Sequence, residues 1–210
     1  MAKFCLGGLH VITDTMVQQK YSHAHLAKMA LAGGAKIIQY RQKDASTHVM
    51  VEEARAIMEL CREHEAMLII NDRLDIALAV GAHGVHLGQE DLPFAIARKY
   101  LGKDKILGCS AGTVALARQA LEQGADYVGF GPVYATASKA DASEVKGLKQ
   151  LSEISKNVDL PIIAIGGINH NNAREVMAGG AAGVAVIGAI CLADDPMAAS
   201  ADFVKLLKNR

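Results

Sequence analysis

The sequence of 210 residues predicts an α/β protein that forms a single-domain (β/α)8 TIM barrel. Short apolar runs alternate with amphipathic segments eight times along the chain. This spacing, about 26 residues per unit, is typical of barrels built from one βα unit after another. Most of the apolar runs are continuous, as expected for parallel strands that are covered on both faces. A similar phrase also follows three helical segments, as GGAKIIQYR, QGADYVGFG and GGAAGVAVIG, which indicates a weak internal repeat of a βα unit.

The elements are predicted in order along one domain that spans residues 1–210. The eight predicted strands cover residues 9–13, 36–41, 67–71, 84–88, 105–110, 127–133, 161–167 and 183–190. Amphipathic helices are predicted over 47–65, 114–123 and 197–207, and Asp195 before Pro196 is typical of a helix N-terminus. The alternative is an open doubly wound sheet, but no G-x-G-x-x-G follows the first strand.

Composition excludes several classes of function. The chain has 22 basic and 22 acidic residues, a pI near 7.1, 4% aromatic residues and no Trp, so nucleic acid and membrane surfaces are not expected partners. The four cysteines are scattered and predict buried thiols in a reducing compartment. The N-terminus lacks the apolar stretch of a signal peptide, and no run approaches about 18 apolar residues. We therefore expect a cytoplasmic protein.

Polar side chains and glycines stand at or just past the carboxyl ends of most of the predicted strands. They are Gln39, Arg41, Lys43, Asn71, Asp72, Asp91, Ser110, Thr136, Ser138, Lys139, Gly166, Gly167 and Gly188. The carboxyl ends of barrel strands share one mouth, so we expect these residues to surround a single opening. Cations beside carboxylates, hydroxyls and bare backbone favour a ligand with a diphosphate held through a hard metal ion, and a second phosphate elsewhere. A solvated surface loop is the alternative for the segment that holds Thr136 and Lys139.

The two carboxylates and the glycines each allow a second interpretation. Asp72 and Asp91 could be N-caps of the following helices, or they could share Mg²⁺ with phosphate oxygens. Gly167 and Gly188 could bind phosphate through backbone N–H groups, or they could merely permit tight turns. For His86 we expect hydrogen bonding within the core rather than metal binding.

Four longer phrases resemble the thiamine-phosphate synthase family, also called thiamine-phosphate pyrophosphorylase. They are IIQYRQK, LIINDRLDIALAVGAHGVHLGQEDLP, GADYVGFGPVYATASKADA and LPIIAIGGI, and the resemblance runs in order along essentially the whole chain. It implies a (β/α)8 barrel that joins hydroxymethylpyrimidine diphosphate to a thiazole phosphate with Mg²⁺, releasing pyrophosphate. The resemblance also implies a possible homodimer.

The resemblance implies a role for each residue that matches the family's motifs. Gln39, Arg41, Lys43 and Asn71 would contact the pyrimidine diphosphate, as would Ser110 and Lys139, while Asp72 and Asp91 would hold Mg²⁺. Thr136, Ser138, Gly167 and the backbone of Ile187 and Gly188 would receive the thiazole phosphate. Of these, Lys139, Arg41, Lys43 and Ser110 would be the catalytic groups.

The chain departs from the family's pattern at two positions. Ser110-Ala111-Gly112 stands where the family usually has Ser-Thr-His, and Gly188 stands where a Ser is usual. We expect weaker or slightly shifted thiazole binding rather than lost activity. A related thiazole tautomerase uses a His near the position of Gly112, which cannot transfer a proton, so the synthase is favoured over an isomerase of that kind. A non-catalytic module that binds phosphate ligands is the third alternative.

Overall fold

Eight parallel strands close into one barrel, in which each strand pairs with the next along the chain and β8 pairs with β1. The structure is a computed structural model that describes residues 5–138 and 144–208. The strands are β1 (Gly8–Thr13), β2 (Ile37–Tyr40), β3 (Met67–Asn71), β4 (Gly84–Leu87), β5 (Ile106–Ser110), β6 (Tyr127–Phe130), β7 (Ile162–Ile165) and β8 (Gly183–Val186). The predicted (β/α)8 fold class is confirmed.

Helices follow the strands and cover the outside of the barrel. They are α1 (His23–Ala32), α2 (Thr47–Glu63), α3 (Leu74–Ala79), α4 (Phe94–Leu101), α5 (Val114–Glu122), α6 (Gly147–Asn157), α7 (Ala173–Ala178), α8 (Gly188–Cys191) and α9 (Pro196–Lys208). The side chain of Asp195 accepts hydrogen bonds from the N–H groups of Met197 and Ala198, which confirms the predicted start of α9. Within the described residues, none of the helices combines the length and the apolar character that crossing a membrane requires.

The barrel wall separates two apolar layers, which explains why the strands read as continuous apolar runs. On β3, Leu68 and Ile70 pack outward against the helices, whereas Ile69 packs inside the barrel. Three of the cysteines are buried as predicted, but Cys5 is exposed, so the prediction of a buried thiol was wrong there.

The eighth strand is shorter than predicted. β8 ends at Val186, the backbone of Ile187 leaves the extended conformation (φ −112°, ψ −81°), and Gly188 begins the short helix α8. The run over residues 183–190 is almost entirely apolar, and periodicity cannot distinguish a buried strand from a buried helical turn in so short a segment.

A buried histidine inside the barrel predicts a specific loss of stability in acid. His10 is fully buried, and its Nε2 lies 2.8 Å from the carbonyl oxygen of Leu6. Burial lowers the pKa of His10 from 6.5 to about 4, against the opposing effect of that hydrogen bond. Because the folded protein keeps His10 neutral while the unfolded chain protonates it, stability is full above pH 6.5 and falls as the pH drops towards 4.

Replacing His10 by Gln should remove this part of the pH dependence. Between pH 7 and pH 4 we expect the wild type to lose about 3 kcal/mol more free energy of unfolding than His10→Gln. Urea denaturation at several pH values measures the difference, with His25→Gln, a change at an exposed histidine, as the control. Parallel curves for wild type and His10→Gln would contradict the prediction.

Candidate active site

The carboxyl ends of the strands surround two adjoining cavities. The first, which we name the polar cavity, has a volume of about 530 Å³ and is lined by polar residues that follow β2, β3 and β4 and by strand residues that face the barrel interior. The second, the glycine-lined cavity, has a volume of about 430 Å³ and lies at the ends of β5 to β8. Gln89, Ser110, Gly129, Ile165 and Ala185 line both. The cavities therefore meet at these residues, and a ligand in one can contact a ligand in the other.

The predicted pyrimidine-diphosphate residues come together in the polar cavity. Those of them that the structure describes all line it, namely Gln39, Arg41, Lys43, Asn71 and Ser110, as do both predicted metal ligands, Asp72 and Asp91. Gln39 lies on β2, and Arg41 and Lys43 follow the end of that strand. Lys139 lies outside the described residues.

Neither carboxylate is an N-cap, so that interpretation was wrong. Helix α3 follows Arg73 and α4 follows Pro93, and neither helix start has a side-chain capping bond. Asp72 instead pairs with the ammonium of Lys43, with its backbone at φ 63°, and Asp91 accepts a hydrogen bond from the N–H of Gly88 at 2.7 Å. Both carboxyl groups are therefore free of helix termini and face the polar cavity.

The two carboxyl groups also contact each other. Burial works to raise the pKa of Asp72, but the Lys43 ammonium and a hydrogen bond with Asp91 outweigh it, so that pKa lies below its usual value. Burial raises the pKa of Asp91, and the adjacent Asp72 raises it further, while the Gly88 N–H opposes them. Such a pair can be fully ionised only at the cost of repulsion between like charges, which a divalent cation would relieve.

The donor set fits a magnesium ion that is completed by substrate. Among the described residues, no cluster of three or more His, Cys, Asp or Glu side chains could form a closed metal cage. Mg²⁺ commonly takes only one or two protein carboxylates and fills its remaining positions with waters and phosphate oxygens. Asp72 and Asp91 could therefore hold Mg²⁺ in the presence of a diphosphate.

Arg41 takes part in a buried ion pair that the sequence interpretation missed. The Arg41 guanidinium pairs with the carboxylate of Asp14, and the two side chains are 9% and 1% exposed. Asp14 also accepts a hydrogen bond from the N–H of Met16 at 2.8 Å. Asp14 directly follows β1, so the rule that collected the other site residues could have found it. The pair holds Arg41 at the wall of the polar cavity.

The predicted thiazole-phosphate residues line the glycine-lined cavity. They are Thr136, Ser138, Gly167, Ile187 and Gly188. Gly167 has φ +65°, and a Cβ there would lie 2.5 Å from the carbonyl oxygen of Ala135, so only glycine fits without a shift. These predicted residues thus combine two hydroxyls with closely approached backbone, which suits an anionic group.

Comparison with known proteins decides the family. A model of the family described as Thiamine monophosphate synthase matches residues 9–190. The thiamine-phosphate synthase of Methanospirillum hungatei JF-1 is 50% identical over 200 residues, which cover 95% of this chain and 97% of that protein. That of Moorella thermoacetica is 52% identical over 192 residues, 91% of each chain. The chain belongs to the thiamine monophosphate synthase family. It is accordingly an enzyme, a transferase of thiamine biosynthesis.

The solved structures agree with this assignment to the thiamine monophosphate synthase family. The thiamine phosphate pyrophosphorylase from Pyrococcus furiosus superposes with a TM-score of 0.87 at 39% identity, covering 96% of this chain and 95% of that one.

Gly188, one of the two expected departures from the family pattern, lies close to Ser138. A Cβ at Gly188 would lie 3.1 Å from the hydroxyl oxygen of Ser138. A side chain at this position would therefore crowd Ser138, and the glycine leaves the Ser138 hydroxyl room beside the backbone. Thr136 and Ser138, on the segment after β6, keep their hydroxyls in the glycine-lined cavity.

Gly112, the second departure from the family's pattern, lies beside a lysine that the sequence interpretation missed. A Cβ at Gly112 would lie 3.3 Å from Cε of Lys146, and both residues line the glycine-lined cavity. Lys146 was missed because it precedes α6, far along the chain from the end of β6. No pattern in the sequence marks it as a cavity residue. It brings a cation to a cavity whose other predicted ligand groups are neutral.

The histidine of β4 faces the barrel interior and is hydrogen-bonded, as predicted. The Nδ1 of His86 lies 2.9 Å from the hydroxyl of Tyr127, and its Nε2 lies 3.0 Å from the hydroxyl of Ser110. The side-chain amide of Gln89 donates to the carbonyl oxygen of Ser110. His86 and Tyr127 line the polar cavity, a position that the sequence interpretation did not assign to them.

Proposed function

We propose that the protein joins 4-amino-2-methyl-5-hydroxymethylpyrimidine diphosphate to 4-methyl-5-(2-phosphoethyl)thiazole, or to its carboxylated form, and releases thiamine phosphate and pyrophosphate. The observation that carries the proposal is the meeting of the polar cavity and the glycine-lined cavity at Ser110. A reaction between two phosphorylated substrates needs two anion sites with a shared boundary, where the atoms that react come together.

The polar cavity is proposed to take the pyrimidine diphosphate. Arg41, Lys43 and Lys139 would bind its phosphate oxygens, while Gln39 and Asn71 would orient the aminopyrimidine. Asp72 and Asp91 would hold Mg²⁺, which when bound neutralises charge on the diphosphate oxygens. Because Asp14 already fixes Arg41, that guanidinium needs little reorganisation when charge develops on the leaving group.

The proposed chemistry breaks one bond and forms one. The bond between the pyrimidine methylene carbon and the diphosphate oxygen breaks, and its electron pair leaves with the oxygen. The aminopyrimidine stabilises the resulting carbocation by donation from its amino group. The thiazole nitrogen then gives its lone pair to the methylene carbon, so no side chain has to act as a nucleophile. The role of Arg41, Lys43 and Ser110 is to stabilise and align the departing diphosphate.

The glycine-lined cavity is proposed to take the thiazole phosphate. The hydroxyls of Thr136 and Ser138, with the backbone N–H groups of Gly167, Ile187 and Gly188, would bind the phosphate. Lys146 would contribute a positive charge to the same cavity. The phosphate would then anchor the thiazole with its nitrogen towards the boundary at Ser110.

Removing the charge of Lys146 should weaken binding of the thiazole substrate. We expect Lys146→Ala to raise KM for the thiazole phosphate about tenfold, equivalent to ~1.4 kcal/mol, with kcat and the KM for the pyrimidine diphosphate little changed. Lys149→Ala, which removes an exposed lysine from the same helix, is the control. Steady-state kinetics with each substrate varied in turn measures the effect. An unchanged KM for the thiazole phosphate would exclude Lys146 from its binding.

One experiment tests the proposed function against its alternatives. Purified protein is incubated with both substrates, with and without Mg²⁺, and the release of pyrophosphate and thiamine phosphate is measured. The synthase requires both products and dependence on Mg²⁺. Conversion of a single phosphorylated thiazole without pyrophosphate would identify an isomerase of the tautomerase kind. Saturable binding of the thiazole phosphate without any product would identify a non-catalytic module.

A further inference from the structure

Three polar side chains form a continuous hydrogen-bonded chain inside the barrel. It begins at Tyr127, whose side chain is 1% exposed, passes through the imidazole of His86, and ends at the hydroxyl of Ser110. The two hydrogen bonds measure 2.9 and 3.0 Å, both within the ordinary range. Ser110 lines both cavities, so the chain leads from the barrel interior to the boundary between them.

Two glycines on the neighbouring strands make room for the rings of this chain. A Cβ at Gly108 on β5 would lie 2.2 Å from Cζ of Tyr127, and a Cβ at Gly129 on β6 would lie 2.8 Å from Cε1 of His86. Both distances are far below ordinary carbon contacts. The barrel wall is therefore shaped around these two rings, which leaves each ring little freedom to turn.

The need to give each buried hydrogen an acceptor determines which groups donate and which accept along Tyr127, His86 and Ser110. Within the described residues, His86 Nδ1 is the hydrogen-bond partner of the Tyr127 hydroxyl, and that hydroxyl is buried. If Nδ1 carried the proton and donated to Tyr127, the Tyr127 hydrogen would be buried without an acceptor, which is costly. Tyr127 therefore donates to Nδ1, and Nε2 carries a proton. Nε2 then donates to the oxygen of Ser110.

A Ser110 oxygen that already accepts from His86 has its own hydrogen available for another acceptor. We propose that Tyr127 and His86 are positioning residues that hold the hydroxyl of Ser110 as a hydrogen-bond donor towards substrate at the boundary of the two cavities. If the proposed function is right, the acceptor is an oxygen of the departing diphosphate. A donor fixed in advance at that oxygen stabilises negative charge as the bond breaks.

The proton position in His86 tests the proposal without any substrate. In the wild-type protein labelled with ¹⁵N at histidine, the chemical shifts of the two ring nitrogens report which one carries the proton. We expect His86 to carry it on Nε2, and we expect Tyr127→Phe to shift the population towards protonation at Nδ1. A proton on Nδ1 in the folded wild type would overturn the proposal, whatever the enzymatic activity proves to be.

Enzyme kinetics tests whether the hydrogen bonds from Tyr127 through His86 to Ser110 affect the reaction. Tyr127→Phe removes only the hydroxyl, and we expect kcat to fall about tenfold while KM for the thiazole phosphate stays the same, since one donor is misoriented rather than lost. Tyr100→Phe, a change at an exposed tyrosine of α4, is the matched control. A kcat equal to that of the wild type would overturn the proposal.

A double-mutant cycle separates positioning from a general structural effect. If Tyr127 acts through Ser110, adding Tyr127→Phe to Ser110→Ala should cause no further fall in kcat, because the group that it orients is already absent. Fully additive losses would show that Tyr127 merely supports the fold, and would overturn the proposal. A wild-type protein that releases no pyrophosphate would instead overturn the proposed function, while the ¹⁵N measurement would still decide the direction of the chain.

Discussion

Replacement of Asp72 by Asn is expected to lower kcat on the order of 10²- to 10³-fold, by analogy with the loss of one preorganised electrostatic contact in other enzymes. Asn has nearly the same shape but no charge, so the variant keeps the polar cavity while losing one of the two carboxylates proposed to hold Mg²⁺. Asn also tolerates the left-handed backbone that Asp72 adopts at φ 63°. The loss should therefore reflect charge rather than distortion of the loop after β3.

The same variant should bind divalent cations more weakly. We expect a higher concentration of Mg²⁺ for half-maximal activity, and weaker binding of Mn²⁺ measured directly by titration calorimetry in the presence of pyrophosphate. Asp202→Asn, the same change on an exposed carboxylate of α9, is the control and should leave both quantities unchanged. Wild-type turnover and cation affinity in Asp72→Asn would remove this carboxylate from the proposed metal site.

Replacement of Asp14 by Ala is expected to lower the free energy of unfolding by about 3–5 kcal/mol, the range for breaking one side of a buried ion pair. Asp14 is fully buried and Arg41 is 8% exposed, so the variant leaves a guanidinium charge with little solvent. The variant also deprives the N–H of Met16 of its acceptor. Urea denaturation at neutral pH measures the loss.

An exposed ion pair provides the matched control for Asp14. Asp75 pairs with Arg73 at 2.6 Å, but the two side chains are 58% and 35% exposed. Asp75→Ala should therefore cost less than about 1 kcal/mol. Equal losses for Asp14→Ala and Asp75→Ala would show that water in the polar cavity compensates Arg41, and would contradict the prediction for the buried pair.

Many of the residues at the mouth of the barrel could be predicted because their placement depends on short-range patterns. Gln39, Arg41 and Lys43 are spaced by two at the end of β2, so a strand pattern was enough to predict that they would lie on one side. Asn71, Asp72 and Ser110 stand at strand ends, and the parallel barrel brings every strand end to the same mouth. Once eight βα units are recognised, local order in the chain is enough to place these residues near one another.

The interpretations that failed concern segments where one local pattern allows two structures. Asp72 and Asp91 precede helices, as N-caps do, but the helices begin later and the carboxylates turn into the polar cavity. The apolar run after Val186 continues as a helical turn instead of a strand. In both cases the packing of surrounding elements selects between conformations that the sequence permits about equally.

Periodicity and the order of strand ends were enough to predict the barrel and the set of residues at its mouth. Which of those residues contact each other depends on the packing of the folded barrel. The pairing of Asp14 with Arg41, the chain from Tyr127 through His86 to Ser110, and the approach of Lys146 to Gly112 all join residues that are distant in sequence. Such contacts depend on barrel closure and on the few ångströms of space that particular glycines leave, and no local pattern in the chain encodes those distances.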